Sequence, residues 1–279
     1  MISPERTLAQ GVKIPQLGLG TWQTPDNVAA ECVRAAILCG YRLIDTASVY
    51  ENERGVGEGV RQGLDAANLA RAQVFVTTKL WNSDQGYDSA LLACEKSLRR
   101  LGLEYLDLYL IHWPSPRNNR YLDSWKALVR LREEGRVRAI GVSNFEPEHL
   151  ARIIAETGVV PAVNQIELHP DFAQTELRAT HARHGILTQS WSPLGQGGLL
   201  RHAVITGIAQ KHKRSPAQIL VRWHLEEDLL VIPKSIHPAR IQENFAVFDF
   251  ALDEEDKAAI SRLDAPEHRI GPHPNTADF

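Results

Sequence analysis

Asp45, Tyr50, Lys79 and His112 are the side chains of this chain best suited to chemistry. Asp45, Lys79 and His112 each follow a short apolar run: Tyr41 to Ile44, Val74 to Thr78 and Leu106 to Ile111. Such runs read as buried strands. An ionisable group at the rim of an apolar core costs free energy unless it is paired, so three in succession call for a purpose. Tyr50 stands on the stretch that follows Asp45. A phenol ordinarily titrates near pH ~10. An ammonium beside it favours the phenolate and lowers that value, and a carboxylate keeps the ammonium charged and fixed. A histidine nearby can donate a hydrogen bond to a reacting oxygen. Together these groups make a general acid for a carbonyl. The plainer alternative is a helix-capping Asp45 and a half-buried Tyr50.

A carbonyl acid needs a hydride donor, and the residues ending the later apolar runs suit one. Ser143, Asn144 and Gln165 can hydrogen-bond a carboxamide. Trp191 can stack on a flat heterocycle. The run Ser192-Pro193-Leu194-Gly195-Gln196-Gly197-Gly198 offers small residues and backbone N–H groups for a pyrophosphate. Lys234 and Arg240 can pair with a further phosphate. No metal set is evident. His181 and His184 share a helix face but are better explained as solvated surface histidines. A metal-dependent hydrolase using His112, Glu167 and His169 is the competing chemistry.

These side chains need a scaffold that brings strand ends together. The chain alternates short apolar runs with amphipathic helical stretches. A β-hairpin is expected at Thr7 to Ile14, turning at Gln10-Gly11, and a first strand at Leu17 to Thr21. Further strands are expected at Tyr41 to Asp45, Val74 to Thr78, Leu106 to Ile111, Val137 to Val142, Ala162 to Ile166, Ile186 to Ser190 and Leu229 to Ile232. Helices follow each, starting with Val28 to Cys39, capped by Asp26-Asn27, and Glu53 to Gly63. Extra helices are expected at Ser215 to Glu226, with Ser215 as cap, and at Asp253 to Arg262. Eight strand–helix units of near-continuous apolar strands point to a (β/α)₈ TIM barrel with an N-terminal β-hairpin and extra helices. No linker interrupts the series, so residues 1–279 form one domain. A doubly wound open sheet would carry a phosphate fingerprint after its first strand. Here Gly18 and Gly20 lack the third glycine, whose place Gln23 takes. Gly55, Gly57 and Gly59 follow no strand and lie inside a helix.

The 279 residues carry a net charge of -3, with both signs interspersed, which suits no nucleic-acid partner. No apolar run is long enough to span a membrane. Met1 to Gln10 lacks the apolar core of a secretory signal, so a cytoplasmic location is expected. The three cysteines, Cys32, Cys39 and Cys94, lack ligand spacing and read as buried free thiols.

The motifs also carry a resemblance. Gly40-Tyr41-Arg42-Leu43-Ile44-Asp45-Thr46-Ala47 with Tyr50 and Asn52-Glu53 resembles the first signature of the aldo-keto reductases. Leu108-Tyr109-Leu110-Ile111-His112-Trp113-Pro114 is similar to that family's histidine strand. Gly141 to Phe145, Asn164 to Glu167 and Ile232 to Ser235 are its other marks. The block Thr157 to Pro170, the run Val247-Phe248-Asp249-Phe250 and the short tail look most like the prokaryotic 2,5-diketo-D-gluconate reductases. The resemblance implies an NADPH-dependent reductase of a small carbonyl compound, a barrel without a Rossmann fold, and a monomer. It implies Tyr50 as proton donor, Lys79 and Asp45 as its tuners, and His112 as the group that orients the carbonyl. It implies Ser143, Asn144 and Gln165 on the nicotinamide carboxamide and Trp191 on the ring. Gly20, Thr21, Ser192, Leu194, Gln196 and Gly197 would meet the cofactor's remaining length. Lys234, Ser235 and Arg240 would meet the 2′-phosphate, and Glu243 and Asn244 the adenine. Trp22, Trp81 and Trp113, with His112 and some residue near Gly271 to His273, would wall the substrate pocket.

Overall fold

The computed structural model describes residues 3–277; Met1, Ile2, Asp278 and Phe279, at the ends of the expected domain and tail, lie outside them. The hairpin is present, but its first strand begins before Thr7 and its second ends at Pro15, one residue past the expected Ile14. Strand β1 (Glu5–Thr7) pairs antiparallel with β2 (Lys13–Pro15), and Arg6 faces Ile14. Gly11 takes the left-handed turn at φ 78°, where a side chain would be strained. The hairpin closes one end of the barrel. Leu8 and Ile14 are buried in one cluster with Leu43, Phe75, Leu108 and Leu110. Gln10 pins the hairpin by donating from Nε2 to the Val160 carbonyl at 3.2 Å and accepting from the Ile140 amide at 2.9 Å.

Eight parallel strands follow, each paired with its sequence neighbour. They are β3 (Leu19–Gly20), β4 (Leu43–Asp45), β5 (Phe75–Leu80), β6 (Leu106–Ile111), β7 (Val137–Ser143), β8 (Val163–Glu167), β9 (Leu187–Trp191) and β10 (Leu230–Val231). The first and last meet: the Gly18 amide donates to the Val231 carbonyl at 2.9 Å, and the Val231 amide to the Gln16 carbonyl at 2.8 Å. Parallel bridges at Leu17–Val231 and Gly20–Lys234 complete the closure. Gly20 is required here, because a Cβ would stand 2.7 Å from the Ile232 carbonyl oxygen.

Ten helices are present among the described residues: α1 (Asp26–Cys39), α2 (Glu53–Ala67), α3 (Tyr87–Leu101), α4 (Tyr121–Glu133), α5 (Pro147–Thr157), α6 (Thr175–His184), α7 (Ala203–His212), α8 (Pro216–Glu226), α9 (Pro238–Phe245) and α10 (Glu254–Ser261). Ser215 and Asp253 cap α8 and α10 as expected. Asp26 does not cap α1. It is the first residue of that helix, and its carboxylate instead accepts from the Gly55 amide at 2.7 Å, tying α2 to α1. The glycines of α2 serve that same close approach. A Cβ on Gly55 would stand 2.1 Å from the Asp26 carbonyl oxygen, and one on Gly57 2.0 Å from that of Leu101 on α3.

Strands β5, β7, β8 and β9 extend past their apolar runs, so Lys79, Ser143, Glu167 and Trp191 lie within strands rather than on the loops after them. The reason is physical. An apolar run records which side chains face the core, whereas the ladder ends where backbone pairing ends; Lys79 still pairs with Leu110, and Glu167 with Trp191. Cys32 and Cys94 are buried free thiols, but Cys39 is partly exposed near the end of α1.

His181 is not a solvated histidine. It is 1% exposed, with Nδ1 2.8 Å from Thr188 Oγ1 and Nε2 2.9 Å from Asn164 Nδ2. Burial holds its imidazole down to about 3. The unfolded chain therefore binds a proton at His181 below pH ~6.5 that the folded chain refuses. Stability contributed by this residue is present above that pH and falls as pH drops toward 3, by up to about 1.4 kcal/mol per unit. Urea midpoints at pH 7 and pH 5 should show the loss, and His181→Gln should reduce it; a midpoint difference unchanged by the substitution would contradict the assignment.

Candidate active site

Lys79 is the centre of a buried polar cluster at the strand ends. Its ammonium donates to Asp45 Oδ1 at 2.6 Å, to the Thr46 carbonyl at 2.9 Å and to the Tyr50 hydroxyl at 3.3 Å. Lys79 and Asp45 are 0% and 1% exposed. Adjacent parallel strands put these two side chains next to each other, since Asp45 of β4 pairs with Thr77 of β5. The chain then turns through a short 3₁₀ segment, Ser48–Tyr50, which carries the phenol back over the ammonium. Ser48 Oγ donates to the Lys79 carbonyl at 3.0 Å and fixes that turn. Asn52 holds it from the other side, accepting from Thr46 Oγ1 at 2.7 Å and donating to the Thr21 and Thr24 carbonyls at 2.9 Å.

The electrostatics follow from burial and these partners. Burial opposes the charge on Lys79, but Asp45 and Tyr50 outweigh it and raise its pKa above the ordinary value. Burial pushes the Asp45 carboxyl up, with Lys79 and Gln165 pulling against it. Tyr50 is raised as well. Burial is the main cause and Asp45 adds to it, while Lys79 opposes both. This corrects the expectation of a lowered phenol. A tyrosine in a low-dielectric site keeps its proton until something accepts it, and the ammonium then stabilises the anion left behind. His112 packs edge-on to Tyr50 and Trp81, with ring centroids 5.7 and 5.1 Å away. Burial, helped by Lys79, holds its imidazole neutral. Its Nδ1 is buried with no partner.

A second layer of amides supports this cluster. Gln165 Nε2 donates to Asp45 Oδ2 and to Gln189 Oε1, both at 2.8 Å. Asn144, at φ 61°, donates to the His112 carbonyl and to Ser143 Oγ, both at 3.0 Å, and accepts from Trp191 Nε1 at 2.8 Å. Ser143 Oγ donates to the Gln165 carbonyl at 2.7 Å.

This cluster adjoins one cavity of about 1060 Å³. Asp45, Tyr50 and His112 line it together with Trp22, Trp81 and Trp113. Gly20, Thr21, Asn144, Gln165 and Trp191 line the same cavity. So do Ser192, Leu194, Gln196 and Gly197, and Lys234, Ser235, Arg240, Glu243 and Asn244. Of the residues singled out in the sequence, Lys79 and Ser143 do not line the cavity; both act from behind it. Neither Lys234 nor Arg240 is ion-paired with a carboxylate among the described residues. The loop from Ser192 to Gly197 turns through positive φ at Ser192, Gly195, Gln196 and Gly197.

Sequence reasoning missed several residues of the site. Gln189 holds Gln165 from behind. Ser215, Pro216 and Ala217, at the start of α8, line the cavity beside the glycine loop, as does Val49 beside Tyr50. The Ser-Pro cap of α8 was a signal for that helix start, but nothing local shows which end of α8 meets the cavity. Glu167 and His169 are not among any metal-binding group of the described residues. Each is occupied by hydrogen bonds within the protein, and no group of three His, Cys, Asp or Glu among the described residues is arranged to hold an ion.

The Aldo/keto reductase family pattern matches residues 16–265. The chain belongs to that family. It is an oxidoreductase. Across 278 residues it is 54% identical to an aldo-keto reductase of Mycolicibacterium smegmatis, covering 100% of this chain and 99% of the relative. It is 50% identical over 275 residues to the methylglyoxal reductase DkgA of Yersinia pestis, covering 98% and 97% of the two chains. The crystal structure of a Gox0644 mutant in complex with NADPH superposes with a TM-score of 0.95 at 51% identity, covering 100% of both chains. The aldo/keto reductase barrel thus accounts for strand order and closure alike.

The ion pair generates a stability test. Removing one partner of a buried pair leaves an uncompensated charge, at a cost of roughly 3–5 kcal/mol. Lys79→Met should therefore destabilise more than the double variant Asp45→Asn/Lys79→Met in chemical denaturation. A double variant less stable than the single one would contradict the pairing.

Proposed function

We propose that this chain reduces an aldehyde or ketone of the dicarbonyl or keto-sugar acid type, such as 2,5-diketo-D-gluconate, to an alcohol, with NADPH as the reductant and Tyr50 as the proton donor. The observation that carries the reading is the position of Lys79 Nζ, 2.6 Å from Asp45 Oδ1 and 3.3 Å from the Tyr50 hydroxyl, behind a cavity of about 1060 Å³ that Asp45 and Tyr50 line. The methylglyoxal reductase relative supports the dicarbonyl class.

The residues present fit NADP(H). Lys234 and Arg240, neither ion-paired with a carboxylate among the described residues, line the cavity together with Ser235, as a 2′-phosphate requires. Glu243 and Asn244 suit the adenine. The glycine loop with Ser192, Leu194, Gln196 and Gly197 suits the pyrophosphate, and Gly20 and Thr21 pack beside it. Both amide protons of Gln165 are committed within the protein, so its Oε1 would be left to accept from the carboxamide; the protons of Asn144 are committed too, so its Oδ1 would accept as well, and Ser143 holds the pair in place. Trp191, fixed by Asn144, offers its face to the ring.

When bound, NADPH supplies the hydride that adds to the carbonyl carbon. The protein's own residues do the rest. His112 is neutral and its Nδ1 is buried, so Nε2 is the nitrogen that meets the carbonyl oxygen and orients it. Tyr50, protonated at neutral pH, gives its proton to that oxygen. Lys79 stabilises the tyrosinate that results, and Asp45 keeps Lys79 charged. Trp22, Trp81 and Trp113 exclude water and shape the pocket. The protein acts on a small molecule, as a monomer in the cytoplasm.

Tyr50→Phe should lower carbonyl reduction by about 10²–10⁴-fold, while NADPH binding followed by protein fluorescence stays measurable; retained turnover would remove Tyr50 from the role. Arg240→Ala or Lys234→Gly should weaken NADPH by about 1–3 kcal/mol and leave NADH nearly unchanged. Equal losses for both cofactors, measured by titration, would refute the 2′-phosphate assignment.

A further inference from the structure

Glu167 ends β8, is 1% exposed and does not line the cavity, yet its carboxylate is fully engaged. Oε1 accepts from the Ile270 amide at 2.5 Å and from His169 Nε2 at 3.1 Å, and Oε2 accepts from the Gly271 amide at 2.8 Å. Two successive amides of the C-terminal tail thus meet one buried carboxylate from the barrel. His169 Nδ1 lies 2.5 Å from Asp171 Oδ1, so the imidazole bridges two acids. Burial alone would raise Glu167, but His169 and the two tail amides hold it ionised, below the usual carboxylate range.

The tail has other anchors on either side. Ala265 donates from its amide to the Asp171 carbonyl at 3.0 Å, and Arg269 stacks over Phe172 at 4.7 Å. Beyond the cavity, Asn275 Nδ2 donates to Glu148 Oε1 at 2.7 Å. Between these points Gly271 and Pro272 line the cavity. The fit there is tight. A Cβ on Gly271 would stand 2.6 Å from Trp191 Cη2 and 2.9 Å from Glu167 Oε2.

We propose that Glu167 is a positioning residue that sets substrate specificity: it pins the Ile270–Gly271 backbone to the barrel rim and so fixes the wall that Gly271 and Pro272 present to the carbonyl substrate. The proposal rests on the reading that this cavity takes such a substrate. Glu167→Gln keeps the size but replaces one acceptor with an amide donor, which meets another donor. Trp191 keeps its bond to Asn144, so the cofactor half of the cavity should feel the change less.

The experiment compares Glu167→Gln with the unsubstituted protein, using methylglyoxal and NADPH. Exchange of the Ile270 and Gly271 amides should quicken by about tenfold or more, and KM for methylglyoxal should rise about tenfold, since one tail bond is lost and the other loses its charge assistance. The kcat and the NADPH dissociation constant should move less than about twofold. Unchanged exchange and KM would overturn the proposal, as would kcat, KM and NADPH binding deteriorating together with thermal stability. Should Glu167→Gln not fold, Gly271→Ala tests the same wall by pushing it outward; an unaltered KM in that variant would overturn the proposal too. If the unsubstituted protein reduces no carbonyl, the functional reading fails, while amide exchange still reports whether Glu167 holds the tail.

Discussion

A single buried ion pair, Asp45 with Lys79, sets the requirements for everything around it. Charges taken out of water are tolerated only when their remaining hydrogen-bonding capacity is filled. Lys79 satisfies its three protons with Asp45, the Thr46 carbonyl and Tyr50. Asp45 satisfies its second oxygen with Gln165, which in turn leans on Gln189. Those partners come from β4, β5, β8 and β9, together with the turn after β4. The barrel must therefore close in one register for the pair to be stable, and the phenol is delivered to the cavity as part of the same arrangement.

Burial, against the pull of Lys79, is why the resting tyrosine holds its proton. Burial raises Tyr50 more than Lys79 lowers it. For reduction this is the useful state, because a general acid must arrive protonated. The ammonium matters most once the proton has left, when it faces a buried anion. His112 is held neutral by the same low-dielectric surroundings and the same ammonium. Burial thus keeps both groups proposed to meet the carbonyl oxygen uncharged, with Lys79 working against it at Tyr50 and with it at His112.

Much of this was legible in the sequence. Buried parallel strands show as apolar runs, and the polar side chains that close them stand out by type, so Asp45, Tyr50, Lys79 and His112 could be named before any coordinates. The eightfold alternation carried the barrel. Other features were illegible for physical reasons. Whether burial or Lys79 governs Tyr50 depends on distances, not on residue order. His181 sits among polar helix residues that look solvated, yet α6 turns it toward Asn164 and Thr188. Gln189 is one more polar residue in a strand until its contact with Gln165 is seen. Glu167 belongs to a recognisable motif, but its partners Ile270 and Gly271 lie about a hundred residues further on, where no local pattern points back to it. The glycines of α2 were rightly set aside as phosphate binders; only their packing against α1 and α3 shows what they do.

We propose that the Asp45–Lys79 pair governs the proton that Tyr50 would deliver. The most direct measurement is the pH profile of kcat/KM for dicarbonyl reduction in the unsubstituted protein and in Asp45→Asn/Lys79→Met, which removes both charges. The account predicts a single alkaline limb in the former, where Tyr50 ionises, and in the latter a rate lower by orders of magnitude with the limb displaced. Superimposable profiles would contradict it.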